Sequence, residues 1–132
     1  MSRTLLIIKP DATKRDLIGH IVSRLEKARF KILGMRMMNL SNDQAQKFYA
    51  VHKERPFYND LVAFMTSGPV VPMMLEKENA VAELRDLIGA TNPKEAKCGT
   101  IRYEIAVDVE KNSVHASDSD ENAAIEISFF FD

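Results

Sequence analysis

Apolar residues recur along this chain with two different periods, and the switching between those periods restricts the fold more than any other feature. Thr4 to Ile8 is a short run rich in leucine and isoleucine that stops at Lys9-Pro10-Asp11. It reads as a buried strand entering a polar loop. From Leu17 to Phe30 the residues Ile18, Ile21, Val22, Leu25 and Ala28 repeat at three and four, the spacing of an amphipathic helix. In Ile32 to Leu40, Leu33, Met35 and Met37 alternate with Gly34 and Arg36, which predicts a half-buried second strand. Ser41-Asn42-Asp43-Gln44 has capping-box spacing and opens a helix carrying Ala45, Phe48 and Tyr49. Arg55-Pro56 interrupts it before a short helix from Phe57 to about Met65, completing a helical hairpin. Gly68-Pro69 then breaks the chain; Val70 to Leu75 is predicted as a buried strand, and Glu78 to Ile88 as a helix with Gly89 as its C-cap. A polar loop from Ala90 to Thr100 leads to a segment ending in Asn112-Ser113-Val114-His115, and a last helix starts near Asp120.

The order strand, helix, strand, helical hairpin, strand, helix, strand, helix implies an α+β chain of the ferredoxin-like kind. Such a sandwich has a four-stranded, mainly antiparallel sheet with helices packed on it. Pro72 is the discordant residue, since proline cannot donate to a sheet ladder and belongs at an edge, a bulge or a strand start; a bulge is the expectation here. A length of 132 residues leaves room for one good core, so one domain over 1–132 is expected. Lys plus Arg (18) nearly balances Asp plus Glu (19), so no nucleic acid or anionic membrane is expected as a constitutive partner. The single Cys98 cannot form an intramolecular disulfide and no Cys/His spacing resembles a zinc site, which suits a reducing compartment. Leu5 to Ile8 is too short for a signal-peptide core or a membrane span, so the expected location is the cytoplasm.

Five glycines, at 19, 34, 68, 89 and 99, form neither a Walker A loop nor a dinucleotide fingerprint. Side chains must therefore hold any phosphate. The candidates are Lys9 at a strand end, Arg55 before a proline, Arg85 on the helix leading into the long loop, and Arg102 after it; the alternative for each is a solvated surface charge. Among the histidines, His20 and His52 read as surface or packing residues. His115 differs, because it lies where an apolar segment meets Ala116-Ser117-Asp118-Ser119 and a helix start, whose free N–H groups favour an anion. If the last helix folds back, the carboxylate of Glu126 can bond one ring nitrogen and leave the other nucleophilic.

The segment Asn112-Ser113-Val114-His115-Ala116-Ser117-Asp118-Ser119 resembles the active-site signature of nucleoside diphosphate kinases. Ile8-Lys9-Pro10-Asp11, Phe48-Tyr49, Arg55-Pro56-Phe57, Ser67-Gly68-Pro69-Val70-Val71, Gly89-Ala90-Thr91-Asn92-Pro93 and Gly99-Thr100-Ile101-Arg102 join it in the family's order, so the resemblance spans essentially the whole chain. It implies that His115 takes the γ-phosphoryl group of a nucleoside triphosphate and passes it to a diphosphate by a ping-pong route, maintaining triphosphate pools. Glu126 and Ser117 match residues that orient the imidazole. Lys9, Tyr49, Arg85, Thr91 and Arg102 match the group around the phosphates, with Lys9 and Asn112 at the ribose. Phe57 matches the ring that stacks on the base, with Leu61 beside it and Val109 on the other face; Arg55 matches no nucleotide contact. Mg²⁺ is implied as a companion of the nucleotide phosphates. So is a homo-oligomer built from dimers, a tetramer or a hexamer.

Three departures from the family pattern concern packing: Thr13 in place of a small apolar residue, Pro72 inside a strand, and an end at Asp132 where many relatives carry a tail. A competing reading is a non-catalytic nucleotide- or nucleic-acid-binding regulator on the same fold. Intact His115, Glu126, Lys9 and Arg102 argue against it, as do the balanced charge and the absence of tryptophan.

Overall fold

The computed structural model describes residues 1–131. Its strands are β1 (Ser2–Ile8), β2 (Lys31–Met35), β3 (Val71–Lys77) and β4 (Val114–Ala116). Its helices are α1 (Pro10–Thr13), α2 (Ile18–Lys27), α3 (Asn42–Phe48), α4 (Tyr58–Met65), α5 (Ala80–Ile88), α6 (Ile101–Ile105) and α7 (Asp120–Phe131). The strands form one sheet in the order β2-β3-β1-β4, and every pairing is antiparallel.

The parity of β1 explains why its apolar run is continuous rather than alternating. Leu6 and Ile8 point to one face, where they meet Ile21 and Leu25 of α2 and Leu84 and Ile88 of α5. Leu5 and Ile7 point to the other, against Tyr49, Val62 and Met65 of the α3–α4 hairpin and Phe130 of α7. A strand covered on both faces has no polar side to present, and Thr4 to Ile8 are all fully buried. The expected capping box also forms: Ser41 Oγ accepts from the Gln44 amide at 3.1 Å, and Gln44 Oε1 accepts from the Ser41 amide at 2.9 Å.

The second strand is shorter than the alternation of Ile32 to Leu40 predicts. Its ladder ends at Met35, with a register shift between Ile32 and Gly34, and pairing resumes only as an isolated bridge between Met38 and Val70. Pro72 accounts for the interruption, because the Arg36 amide donates to the Pro72 carbonyl at 3.1 Å but proline has no N–H to return the bond. Pro72 is not at the expected bulge: it is the second residue of the central β3, in register with Ile7, and its absent donor faces the end of β2 rather than β1.

Thr13 is buried yet satisfied, since its hydroxyl donates to the Pro69 carbonyl at 2.7 Å and so ties α1 to the Gly68-Pro69 turn. Two helices escape the periodicity reading. α1 and α6 have four and five residues, too few to display a 3.6-residue repeat. Among the described residues no helix is long and apolar enough to cross a membrane.

Candidate active site

The antiparallel pairing of β1 with β4 brings distant residues to one end of the sheet. Lys9 follows directly on β1, and His115 lies opposite Ile7 in β4. Helix α7 returns across β1, and its Glu126 reaches the imidazole: His115 Nε2 and Glu126 Oε1 are 3.0 Å apart. Ser117 Oγ donates to the same carboxylate oxygen at 2.6 Å. A carboxylate only accepts, so this pairing puts the proton on Nε2 and leaves a lone pair on Nδ1. Phe48 and Tyr49 stand edge-on to the ring, at centroid distances of 5.5 and 6.4 Å, and fix its plane.

Two arginines seize the free edge of β4. Residues 113 and 117 bond to β1, which turns the carbonyls of Val114 and Ala116 outward. Arg102 Nη2 donates to Val114 O at 2.7 Å and Arg85 Nη1 to Ala116 O at 3.2 Å, so the two guanidinium groups flank His115. Arg102 Nη1 also donates to Gly89 O at 3.1 Å. Gly89 has φ +89°, and a Cβ there would come within 2.5 Å of Thr100 Oγ1, so no other residue fits the turn. Burial, with the neighbouring positive charge of Arg85, lowers the Arg102 guanidinium to about 10.

Lys9 is equally constrained. Its Nζ donates to Asn112 Oδ1 at 2.9 Å, while Asn112 Nδ2 donates to the carbonyls of Thr91 at 3.2 Å and Val109 at 2.9 Å. Asn112 thus pins two loops to the end of β1. Burial, reinforced by the charge of Arg102, lowers the Lys9 amine to about 8. Between Asn112 and Val114 the backbone makes an uncommon turn: Ser113 has φ +76°, and the Val114 amide donates to Asn112 O at 2.9 Å. That φ and that bond are the marks of a γ-turn with a left-handed central residue, which costs on the order of 1–3 kcal/mol for a residue bearing a Cβ.

These elements enclose a cleft of about 680 Å³. Lys9, Tyr49, Phe57, Leu61, Arg85, Thr91, Arg102, Val109, Asn112, His115 and Glu126 all line it. Ser117 is fully buried behind the wall, on Glu126. Arg55 is exposed and not part of the lining, while His20 sits at the surface beside Glu104. The sequence reading missed His52, which lines the outer cleft with its ring stacked on Tyr49 at 6.4 Å and tilted against Phe57 at 5.5 Å. It sits in a 3₁₀ turn, Ala50–His52, just after α3, where its ring contact with Tyr49 fits the packing alternative of the surface-or-packing reading. Glu110, Asp118 and Asn122 line the cleft as well, and Asn122 Nδ2 donates to Asp118 Oδ1 at 2.7 Å. That bond holds the Asp118 carboxyl below the usual carboxylate range.

Among the described residues, Tyr49 Oη and Arg102 Nε, buried polar atoms of two lining residues, have no hydrogen-bond partner. An unpaired buried donor costs about 1–3 kcal/mol. Burial, together with the nearby Glu126, raises the Tyr49 hydroxyl, which stays protonated as a donor. Among the described residues no group of three His, Cys, Asp or Glu side chains gathers as a metal cage. The cleft therefore suits an elongated molecule with an anionic end beside His115 and a flat apolar end between Phe57 and Val109.

Relatives with this arrangement are well defined. The family model described as "Nucleoside diphosphate kinase" matches residues 2–132. A protein of that name from Desulfatibacillum aliphaticivorans is 59% identical over 131 residues, covering 99% of this chain and 95% of its own. Its namesake from a Nitratiruptor species is 60% identical over 131 residues, with 99% and 96% covered. In three dimensions the chain superposes on the Aquifex aeolicus nucleoside diphosphate kinase with a TM-score of 0.97 at 43% identity, covering 99% of this chain and 95% of that one. A sequence match from end to end and a superposition this close, on a fold whose sheet ends in a cleft built for a polyanion, leave one assignment: the chain belongs to the nucleoside diphosphate kinase family.

Proposed function

We propose that this enzyme transfers the γ-phosphoryl group of a nucleoside triphosphate, typically ATP, to a nucleoside diphosphate through a phosphohistidine at His115. The observation that carries the proposal is the 3.0 Å contact of His115 Nε2 with Glu126, which leaves Nδ1 as the nucleophile. In the first half-reaction Nδ1 bonds to the γ-phosphorus as the bond to the bridging oxygen breaks and the diphosphate departs. In the second, a terminal oxygen of another diphosphate attacks the same phosphorus and Nδ1 is released. Both half-reactions use one cleft.

Such a transfer needs positioning and charge neutralisation more than covalent help. Arg85, Arg102, Thr91 and the protonated Tyr49 hydroxyl serve the phosphates. Lys9 and Asn112 meet the ribose hydroxyls, with Lys9 also near the phosphates. Phe57, Leu61 and Val109 hold the base. Glu126 and Ser117 keep the imidazole in its tautomer. The substrate is the Mg²⁺ complex of the nucleotide, and the lining, which lacks a cage of its own, suits an ion that arrives on phosphate oxygens. The same reading makes 1–132 one catalytic domain that works in the cytoplasm as a tetramer or hexamer of dimers and maintains triphosphate pools.

Incubation with ATP and Mg²⁺ but no acceptor, followed by intact mass measurement, should show one added phosphoryl group per chain. The label should be lost in acid, survive base and be absent from His115→Ala, as a phosphoramidate on that ring requires. A His115→Ala variant that transfers at near the parent rate overturns the mechanism.

A further inference from the structure

The γ-turn at Ser113 joins Asn112 to the strand that carries His115, and Ser113 is fully buried. A non-glycine residue holds φ +76° only if its surroundings enforce it. Here they do so through the side chain. Ser113 Oγ donates to Asp11 Oδ2 at 3.0 Å and accepts from Arg15 Nη2 at 3.2 Å. The same Nη2 reaches Asp11 Oδ2 at 3.3 Å and Ile105 O at 2.8 Å, and Arg15 Nε donates to Asp11 O at 2.9 Å. The hydroxyl thus closes a ring of carboxylate, hydroxyl and guanidinium, while the Ser113 carbonyl accepts from the Lys9 amide at 2.9 Å.

We propose that Asp11, Arg15 and Ser113 form a clamp that holds this turn in its strained shape and so positions His115 and Asn112 for phosphoryl transfer. None of the three lines the cleft, so each acts through the backbone rather than on the substrate. Relaxing the turn would swing its two ends apart, moving the Asn112 amide on one side and Nδ1 of His115 on the other. The inference rests on the phosphohistidine reading above.

A pair of substitutions at one position separates a clamp from ordinary packing. Ser113→Ala removes the hydroxyl but keeps the Cβ, so the turn loses its restraint and keeps its strain. Ser113→Gly removes both, and glycine adopts positive φ without cost. The single-turnover rate of phosphoryl transfer from ATP should fall about tenfold in Ser113→Ala and clearly less in Ser113→Gly, because small misplacements of a nucleophile are costly. Asp11→Asn, close in size, should lower the rate about threefold in the same assay, since the charge facing Arg15 is gone. If the hydroxyl served only stability, rates per folded molecule would stay at the parent level in both variants. A labelled parent in which Ala equals or outperforms Gly overturns the clamp alone. A parent that takes no label overturns the phosphotransfer reading with it.

Discussion

The inner and outer ends of the cleft are built on opposite plans. At the inner end His115, Lys9, Arg85, Arg102 and Asn112 are each held by hydrogen bonds to the protein. At the outer end Phe57 and Val109 stand 48% and 54% exposed. Groups that meet developing charge work best when already oriented, because nothing then has to reorganise during reaction. Groups that only stack need no such restraint, and an apolar face grips any aromatic ring without reading its hydrogen-bond edges.

The sharpest way to break this contrast is a panel of diphosphates that differ in base or in sugar, assayed against the phosphorylated enzyme. Base changes should spread kcat/KM over about 10²-fold, because stacking tolerates every base but favours larger ones. Removing the ribose 3′-hydroxyl should cost more, up to roughly 10⁴-fold, since the free donors of Lys9, aimed by its bond to Asn112 Oδ1, would be stranded. Asn112→Ala should narrow that gap and Phe57→Ala leave it intact. Base identity outweighing the hydroxyl would refute the division between the two ends.

A smaller effect belongs to Glu126. Replacing it by Ala removes the partner that keeps the proton on Nε2, so kcat should fall about 10–100-fold while nucleotide affinity changes little. Equal losses in kcat and affinity would place Glu126 on the substrate instead.

The smallest expected effect is the pH dependence of binding, and its sign follows from Lys9. Held at about 8 in the free cleft, its amine loses its proton as pH rises from 7 to 9. An anionic ligand favours the charged form, so binding near pH 8 should take up protons and weaken several-fold above it. Calorimetry in buffers of different ionisation enthalpy reads this directly, and Lys9→Met should abolish the uptake. The same depressed value means that the unfolded chain holds this proton more tightly between pH 8 and 10.5. The contribution of Lys9 to stability therefore rises with pH across that window. A parent that binds nucleotide without proton uptake near pH 8 would show that Lys9 does not face the ligand.

Legibility in the sequence followed the range over which each signal acts. The apolar run of β1, the stripes of α2 and α5 and the capping box of α3 each reflect neighbours within a few residues, and each was readable. The end of β2 was not, because it depends on Pro72, a residue distant in sequence that withholds a bond across the sheet. His52 reads only as a surface or packing residue that follows the Phe48-Tyr49 helix, and its place in the cleft wall depends on the 3₁₀ turn Ala50–His52 and on contacts with Tyr49 and Phe57.

By itself, then, the sequence determined the main strands and longer helices, the order in which they follow, and the signature around His115 that links the chain to its family. The tertiary structure alone decided that Lys9 and Asn112, 103 residues apart, share a hydrogen bond, and that α7 folds back far enough for Glu126 to meet the imidazole. It also decided the lowered Lys9 amine and the left-handed backbone at Ser113. Periodicity is set by the local backbone and the water it avoids. Desolvation, charge proximity and strain exist only once segments from opposite ends of the chain exclude water from the same few ångströms.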